Sequence, residues 1–325
     1  MARIKVGVLR GGPSSEYDVS LKTGAAVLKN LPDTYEPADI FIDKKGVWHT
    51  RGITTSPERI LPHLDVAFIA LHGKFGEDGQ VQRLLDTHRV PYVGSEAVPS
   101  AWGLNKHIAK NVFKNHGLRV PYHLLLRSSL EGGGGISERE IVEAYRRIPQ
   151  PSVVKPVDGG SSLGVYFARS FFEFKNALKN AALHSPTVLV EEFIPGTEAT
   201  CAVVEGYRGE ALYALPPIEI IPAPGSAFFD YQAKYGGASQ EICPASFPAP
   251  VKREIENMAR VAHKALGLRH YSRSDFIVSR RGVYLLETNS LPGLTEQSLL
   301  PKAASVVGLS FPDFLDHVLT LALKR

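Results

Sequence analysis

The sequence predicts a chain of mixed helices and strands whose first part is a doubly wound α/β unit. Three observations carry this. Ile4–Leu9 is an apolar run that passes through the Gly-rich loop Arg10–Glu16 into a helical stretch, Tyr17–Leu31. Strand, Gly-rich loop and helix open a doubly wound unit, which binds ligands at the carboxyl ends of its strands. In the middle of the chain, helices announced by the capping boxes Ser137/Glu140 and Ser170/Glu173 alternate with β-prone runs. Near the carboxyl end, the β-prone runs Phe276–Val278 and Val283–Leu286 flank Ser279-Arg280-Arg281-Gly282, the signature of a hairpin.

A chain of 325 residues is long enough for about two or three domains. The net charge is +4, with Lys and Arg spread along the chain, which favours small anionic substrates weakly and gives no nucleic-acid stripe. Cys201 and Cys243 have no metal-site spacing and read as packing thiols of a reducing compartment. Met1–Leu9 reads as a strand and not a signal peptide, and no apolar run is long enough to span a bilayer. The expectation is a soluble, cytoplasmic protein.

The elements follow in order. Ser15 and Asp18 form a cap-like pair before the first helix. The loop Gly11–Glu16 lacks the G-x-G-x-x-G of a dinucleotide site. It places Glu16 towards a ligand, or alternatively leaves it as a carboxylate favoured by the helix dipole. Leu64–Leu71 reads as a strand ending in His72-Gly73-Lys74-Phe75-Gly76-Glu77-Asp78-Gly79. This polar run fits a small-molecule site, although a lone His is more often structural. Helix Gln80–His88 follows, and Pro91–Ser95 leaves the first domain. Asn105–His116 reads as a helix with Ile108 and Val112 on its apolar side and Gly117 as terminator. Lys106 lies in its first turn, where the dipole disfavours a cation, so it either has another task or is an ordinary surface lysine.

Glu131–Gly135 is a flexible loop and Ser137–Ile148 a helix. Strands Ser152–Pro156, carrying Lys155, and Tyr166–Ala168 flank the Gly/Ser-rich loop Val157–Val165. Its N–H groups and hydroxyls can fold over phosphates, the alternative being a mobile hairpin. No P-loop occurs, because Phe75 follows Gly73-Lys74. Ser170–Leu183 is a helix; Thr187–Phe193, Ala199–Val204 and Glu210–Ile221 are strands. Phe228–Gly237 opens a loop to Pro250 whose length and aromatics favour a functional role. Lys252–Leu266 and Phe311–Leu323 are helices.

In the hairpin, a three-residue loop Arg280–Gly282 pairs Ser279 with Val283, Ile277 with Leu285, Asp275 with Glu287 and Arg273 with Asn289. Side chains alternate along a strand, so Asp275, Glu287 and Asn289 share a face with Arg273 at its edge. Such hard oxygen donors suit Mg²⁺; the plainer reading is an edge hairpin with solvated polar residues. In Ser290-Leu291-Pro292-Gly293 the Gly amide can approach a ligand. Thr295–Ser298 reads as a helix start, whose free N–H groups favour an anion.

Five segments, G-G-P-S-S-E-Y-D-V-S, A-L-H-G-K-F-G-E-D-G, V-V-K-P-V-D-G-G-S-S-L-G-V, F-F-D-Y-Q-A-K-Y and L-L-E-T-N-S-L-P-G-L-T-E-Q-S-L, occur in one order and spacing. In this the chain resembles, over essentially its whole length, the D-alanine–D-alanine ligase family of the ATP-grasp superfamily. The resemblance implies an ATP-grasp fold in three lobes. These are an amino-terminal α/β substrate lobe (1–95), then two α+β lobes that grip ATP: a central one with a phosphate flap (96–186) and a carboxyl-terminal one with metal and substrate sites (187–325). It implies that Lys106, Lys155 and Lys234 contact ATP phosphates under a flap carrying Ser161, Ser162 and Gly164. Glu191 and the Ile194 backbone would hold adenine, and Glu198 the ribose. Asp275, Glu287 and Asn289 would ligate two Mg²⁺, with Mn²⁺ as a substitute. Glu16 would take the first substrate's ammonium, with His72 nearby, and Glu16, Ser161 and Tyr235 would link the three lobes by hydrogen bonds. Arg273 and the Gly293 amide would face the reacting carboxylate; Ser298 and the Leu299 amide would hold the second substrate's carboxylate. The implied partners are D-alanine, ATP and a second copy of the chain, with no nucleic acid and no membrane.

The implied reaction makes D-alanyl-D-alanine for peptidoglycan precursors through a D-alanyl phosphate. Transfer rests on in-line positioning and charge neutralisation, and attack by the second amine on fixed oxyanion donors. The acyl phosphate must be kept from water, a task for the Tyr231–Pro244 loop and the Gly159–Gly164 flap. Glu192, Asn105, Ser274 and Trp102-Gly103 depart from the family's usual residues, which bears on nucleotide affinity and packing. Tyr235 goes with D-alanine as second substrate. The alternatives are a D-alanine–D-lactate or D-alanine–D-serine ligase, a nicotinamide-dependent oxidoreductase, which the missing G-x-G-x-x-G opposes, and an inactive nucleotide-binding module, which intact Arg273, Asp275, Glu287 and Asn289 oppose.

Overall fold

The computed structural model describes residues 3–128, 135–160, 163–222 and 240–324. Three sheets are built in chain order. The first holds β1 (Ile4–Gly11), β2 (Tyr35–Ile42), β3 (Trp48–Thr50), β4 (Ile53–Thr55), β5 (Val66–Ile69) and β6 (Tyr92–Val93), in the order β4-β3-β2-β1-β5-β6. Strand β1 runs parallel to β2 and β5, and β5 to β6. A strand with parallel neighbours is covered on both faces, which is why β1 and β5 read as continuous apolar runs. Helices α1 (Tyr17–Asn30), α2 (Pro57–Ile60) and α3 (Gln80–Thr87) belong to this part of the chain.

Two expectations at its start are corrected. Helix α1 is entered at Glu16 with no side-chain cap, so Ser15 and Asp18 do not act as a pair. Ser14 Oγ instead accepts from the Glu16 amide at 3.1 Å. Strands β2 to β4 lie in a stretch for which sequence patterning gave no element.

Helices α4 (Ala97–Leu104) and α5 (Lys106–Asn115) lead to the second sheet, in which β7 (His123–Arg127), β8 (Ser152–Pro156), β9 (Tyr166–Ala168) and β10 (Thr187–Glu192) lie in the order β7-β10-β8-β9. Strand β10 thus sits between β7 and β8, so the segment 187–192 completes the central sheet. Helices α6 (Glu138–Arg147) and α7 (Phe171–Ala182) accompany this sheet. The Ser137 capping box closes in both directions. At α7 the Ser170 hydroxyl accepts from the Glu173 amide, but the Glu173 carboxylate takes the Arg169 amide.

The third sheet is antiparallel: β11 (Thr197–Glu205), β12 (Leu212–Ala214), β13 (Ile218–Ile221), β14 (Gln240–Ile242), β15 (Tyr271–Ser279) and β16 (Gly282–Asn289). The run 210–221 is two strands, not one, because Pro216 and Pro217 lack the N–H a ladder needs. Helix α8 (Ala249–Leu266) covers this sheet and ends at Gly267 in the left-handed region, φ 69°. Helix α9 (Leu299–Val306) starts one turn later than the sequence suggested. Thr295–Ser298 is a turn closed by Ser298 N to Thr295 O at 2.8 Å. The Ser298 hydroxyl bonds back to the Thr295 amide, and the helix itself has no side-chain cap. Helix α10 (Phe311–Leu323) returns to pack on β5 and β6. Among the described residues no single helix is long and apolar enough to cross a membrane.

Candidate active site

The hairpin β15–β16 carries the acidic face, and its register is reached by an unexpected route. The turn is two residues, Arg280-Arg281, because Ser279 pairs with Gly282 and Phe276 with Leu285. Continued evenly, this register would set Leu286 opposite Asp275. A bulge after Asp275 leaves Leu286 unpaired and brings Glu287 opposite Asp275 and Asn289 opposite Arg273. The distal pairing expected from a three-residue loop is therefore corrected by one residue, while the pairing at the site is as expected.

Asp275 is buried at the centre. Arg273 forks onto it, Nε to Oδ1 at 2.8 Å and Nη2 to Oδ2 at 2.9 Å. Asn289 Nδ2 donates to Oδ2 at 3.3 Å, and the Thr200 hydroxyl on β11 lies 2.8 Å from Oδ1. Glu287 meets the Lys106 ammonium at 3.3 Å. Two carboxylates and a carboxamide on one strand-pair face form a hard-oxygen set of the kind that takes Mg²⁺, with cations already balancing their charge. On the opposite face the Ser274 and Thr288 hydroxyls bond at 2.9 Å, both buried. Ser274 thereby finds a partner where an aliphatic residue would simply pack.

Lys106 reaches the site from the start of α5. Asn105 caps that helix by accepting from the Ile108 amide at 3.0 Å, the task an Asp would perform. The Lys106 ammonium also donates to the Gly159 carbonyl at the foot of the Gly/Ser loop. The buried stripe of α5 is Lys106, Ala109, Lys110 and Phe113, whereas Ile108 is exposed. The apolar side expected from Ile108 and Val112 is corrected for Ile108, whereas Val112, partly buried, packs on the core beside Ala109 and Phe113.

Lys110, which sequence reasoning passed over, is fully buried. Its ammonium lies 2.9 Å from Glu191 Oε1 and donates to the Leu286 carbonyl at 2.8 Å. Burial pulls its pKa down to about 8, although Glu191 opposes this. Lys155 on β8 lies 2.8 Å from Glu191 Oε2. Burial works against the charges of Lys155 and Glu191. Attraction overcomes it: Glu191 and Glu287 hold the Lys155 pKa above its ordinary value, and Lys110 and Lys155 hold the Glu191 pKa below its own. Both Glu191 oxygens are thus engaged by lysines. Glu192 turns the other way, accepting from the Tyr122 amide at 3.0 Å and meeting Arg281 at 3.2 Å.

Several of these groups, Lys106, Lys155, Glu191, Glu192, Asp275 and Glu287, line one cleft of about 970 Å³ with its open mouth counted. Val153, Val165, Ile194, Ile277 and Leu286 make apolar walls, Glu198 lies among them, and Lys106, Lys155, Asp275 and Glu287 mark the polar part. Gly164 takes φ 75° in the loop above. Ser161, Ser162, Lys234 and Tyr235 lie outside the described residues, as do most of the Tyr231–Pro244 loop and of Glu131–Gly135.

Glu16 stands at the carboxyl end of β1, against Gly73 and Gly160. A Cβ on Gly73 would come within 2.7 Å of its Oε2, and one on Gly160 would collide with it. Gly160, near the start of the Gly/Ser loop, therefore lies against the first lobe. His72 is buried with both nitrogens engaged: Nδ1–H donates to Leu291 O at 2.9 Å, so Nε2 accepts from the Thr23 hydroxyl at 2.9 Å. Burial lowers its pKa, in keeping with this neutral ring. Glu77, also passed over, accepts from the Gly73 amide at 2.9 Å and the Ser290 hydroxyl at 3.2 Å. Burial first, then the nearby Glu16, pushes its pKa up to about 7. Gly293 lies beside the Ser298 hydroxyl, and Leu299 opens α9.

Family models described as D-ala D-ala ligase N-terminus and C-terminus match residues 5–60 with 51–95, and 112–320, respectively. A D-alanine–D-alanine ligase of Anaeromyxobacter dehalogenans is 39% identical over 318 residues, 97% of this chain and 96% of the relative. That of Desulfotalea psychrophila is 38% identical over 99% of this chain and 96% of its own. Among solved structures, the VanG D-Ala:D-Ser ligase from Enterococcus faecalis superposes with TM-score 0.83 at 30% identity, covering 99% of this chain and 100% of that one. The ATP complex of D-alanine–D-alanine ligase from Bacillus anthracis gives 0.80 at 29% identity, covering 99% and 98%. With an apolar-walled cleft ending in lysines and paired carboxylates, and with both family halves matched, the chain belongs to the D-alanine–D-alanine ligase family, ATP-dependent ligases of ATP-grasp fold.

Proposed function

We propose that this protein joins two D-alanines into D-alanyl-D-alanine, using ATP, for peptidoglycan precursors. The observation that carries the reading is the meeting, at one end of the cleft, of Lys106 and Lys155 with the face of Asp275, Glu287 and Asn289. Adenine would lie between the apolar walls near Ile194 and Glu191, with the ribose at Glu198. The phosphates would lie over Lys106, Lys155 and Lys234, beneath Ser161, Ser162 and Gly164. Asp275, Glu287 and Asn289 fit Mg²⁺ by donor type, and the bound ion would neutralise phosphate charge.

Glu16 would hold the first D-alanine's ammonium and so aim its carboxylate at the γ-phosphate. A carboxylate oxygen bonds to phosphorus as ADP leaves. The second D-alanine, held by Ser298 and the Leu299 amide, attacks as the free amine, and the new C–N bond expels phosphate. Arg273, oriented by its fork onto Asp275, and the Gly293 amide would stabilise the tetrahedral oxyanion. Glu16, Ser161 and Tyr235 would tie the lobes together around the substrates. We further expect a homodimer acting in the cytoplasm.

The test is D-alanine-dependent ADP release with Mg²⁺ and ATP, with products identified by mass. D-alanyl-D-alanine is the expected product. The likeness to the VanG D-Ala:D-Ser ligase favours D-serine as the second reading, and its mixed dipeptide in a D-alanine/D-serine mixture would establish it. An ester product with D-lactate would point to a depsipeptide ligase. No response to D-alanine would overturn the reading.

A further inference from the structure

Three charged side chains are buried in contact at the wall of the cleft. Glu191 on β10 holds the Lys110 ammonium at one oxygen and the Lys155 ammonium at the other, 2.9 and 2.8 Å away. The two lysines are not equivalent. Lys155 lines the cleft, whereas Lys110 lies outside its lining, wholly buried on α5. Lys110 also donates to the carbonyl of Leu286, the bulged residue of β16, which fixes it to the sheet.

We infer that Lys110 is a positioning residue for nucleotide binding: it is the permanent counter-ion of Glu191, and thereby leaves Lys155 able to turn to the phosphates. This rests on the reading of Lys155 as a phosphate contact. A buried carboxylate with one cation holds that cation tightly, because releasing it strands a charge away from water. With a second, anchored ammonium on the same carboxylate, Lys155 can exchange Glu191 for a phosphate oxygen while Glu191 stays paired. The arrangement divides two tasks between two lysines, one fixed and one transferable. The short spacing of Lys106 and Lys110, one helical turn apart on the buried stripe of α5, sets Lys106 on Glu287 and Lys110 on Glu191 from a single rigid element.

The experiment measures binding of an imido-bridged ATP analogue with Mg²⁺ by titration calorimetry, beside thermal melts. Lys110→Met is expected to weaken binding by about 10-fold or more, because Lys155 becomes the sole partner of Glu191. Neutralising the carboxylate removes the need for a counter-ion, so Lys110→Met/Glu191→Gln should bind like Glu191→Gln alone. A role confined to anchoring Leu286 would leave the double variant weaker than Glu191→Gln, which would overturn the inference, as would wild-type affinity in Lys110→Met. If Lys110→Met does not melt cooperatively, the comparison of Lys110→Met/Glu191→Gln with Glu191→Gln still decides. Lys155→Met serves as the control on the underlying reading. If it binds the analogue as wild type does, the phosphate role of Lys155 fails; if it binds weakly while Lys110 proves dispensable, only the counter-ion role fails.

Discussion

Glu287 and Asp275 face each other across the hairpin, each already matched to a cation, so a neutral isostere at either position changes charge and little shape. Glu287→Gln is expected to lower kcat at least about 100-fold, the upper end of what losing a supporting metal-site partner does. The melting temperature should stay near wild type, and near-normal turnover would remove Glu287 from the metal set. Glu77 makes a different prediction. Its carboxyl pKa is raised from 4.5 to about 7, so the folded state holds this proton more firmly than the unfolded chain. Its favourable contribution is complete below about pH 4.5 and is lost as pH rises through about 7. The stability difference across that window is about 3 kcal/mol at most. Glu77→Gln should therefore flatten this part of the stability profile in urea titrations at several pH values; an unchanged slope would show that Glu77 is ordinarily ionised. Residue identities at the site were legible because carboxylates, lysines and glycines fell within recognisable segments. Lys110 and Glu77 were not, because what distinguishes them is burial, which comes from other parts of the chain.

At the scale of elements, helix α5 shows where patterning misleads. Ile108 and Val112 look like an apolar face, yet only Val112 packs on the core, and the buried stripe is Lys106, Ala109, Lys110 and Phe113, since two carboxylates await the lysines. The helix begins at Asn105, whose side chain satisfies the Ile108 amide. Asn105→Ala should cost about 1 kcal/mol and Asn105→Asp close to nothing, read as shifts of the denaturation midpoint. Equal losses in both would mean that the amide group is needed for something other than capping. The hairpin is the converse case. Its acidic face was legible, but a two-residue turn and a bulge replace the three-residue turn that local sequence suggests. The two departures cancel in register at Asp275, because each shifts the pairing by one residue in opposite senses.

At the scale of the molecule, the two ends of the chain share one core. Phe314, Leu315, Val318 and Leu319 of α10 are buried with Val6, Val8, Val66 and Phe68 of the first sheet. Fully burying such side chains contributes about 1.5–3 kcal/mol each, together comparable with the whole stability of a domain. A chain ended at Ser310 should thus lose cooperative melting and go into the insoluble fraction. A soluble, cooperatively melting truncation would show that the first lobe stands alone. The sequence by itself determined the class of fold, the strands 152–156, 166–168 and 187–192 and the capped helices of the central part, though not β7, and the residue types gathered at the site, because periodicity, caps and turns act over a few neighbouring residues. It did not determine that 187–192 completes the central sheet, that α10 closes the first, or that two lysines lie buried on one carboxylate. Those outcomes depend on contacts between segments tens to hundreds of residues apart, whose free energy no local pattern contains, and only the tertiary structure decided them.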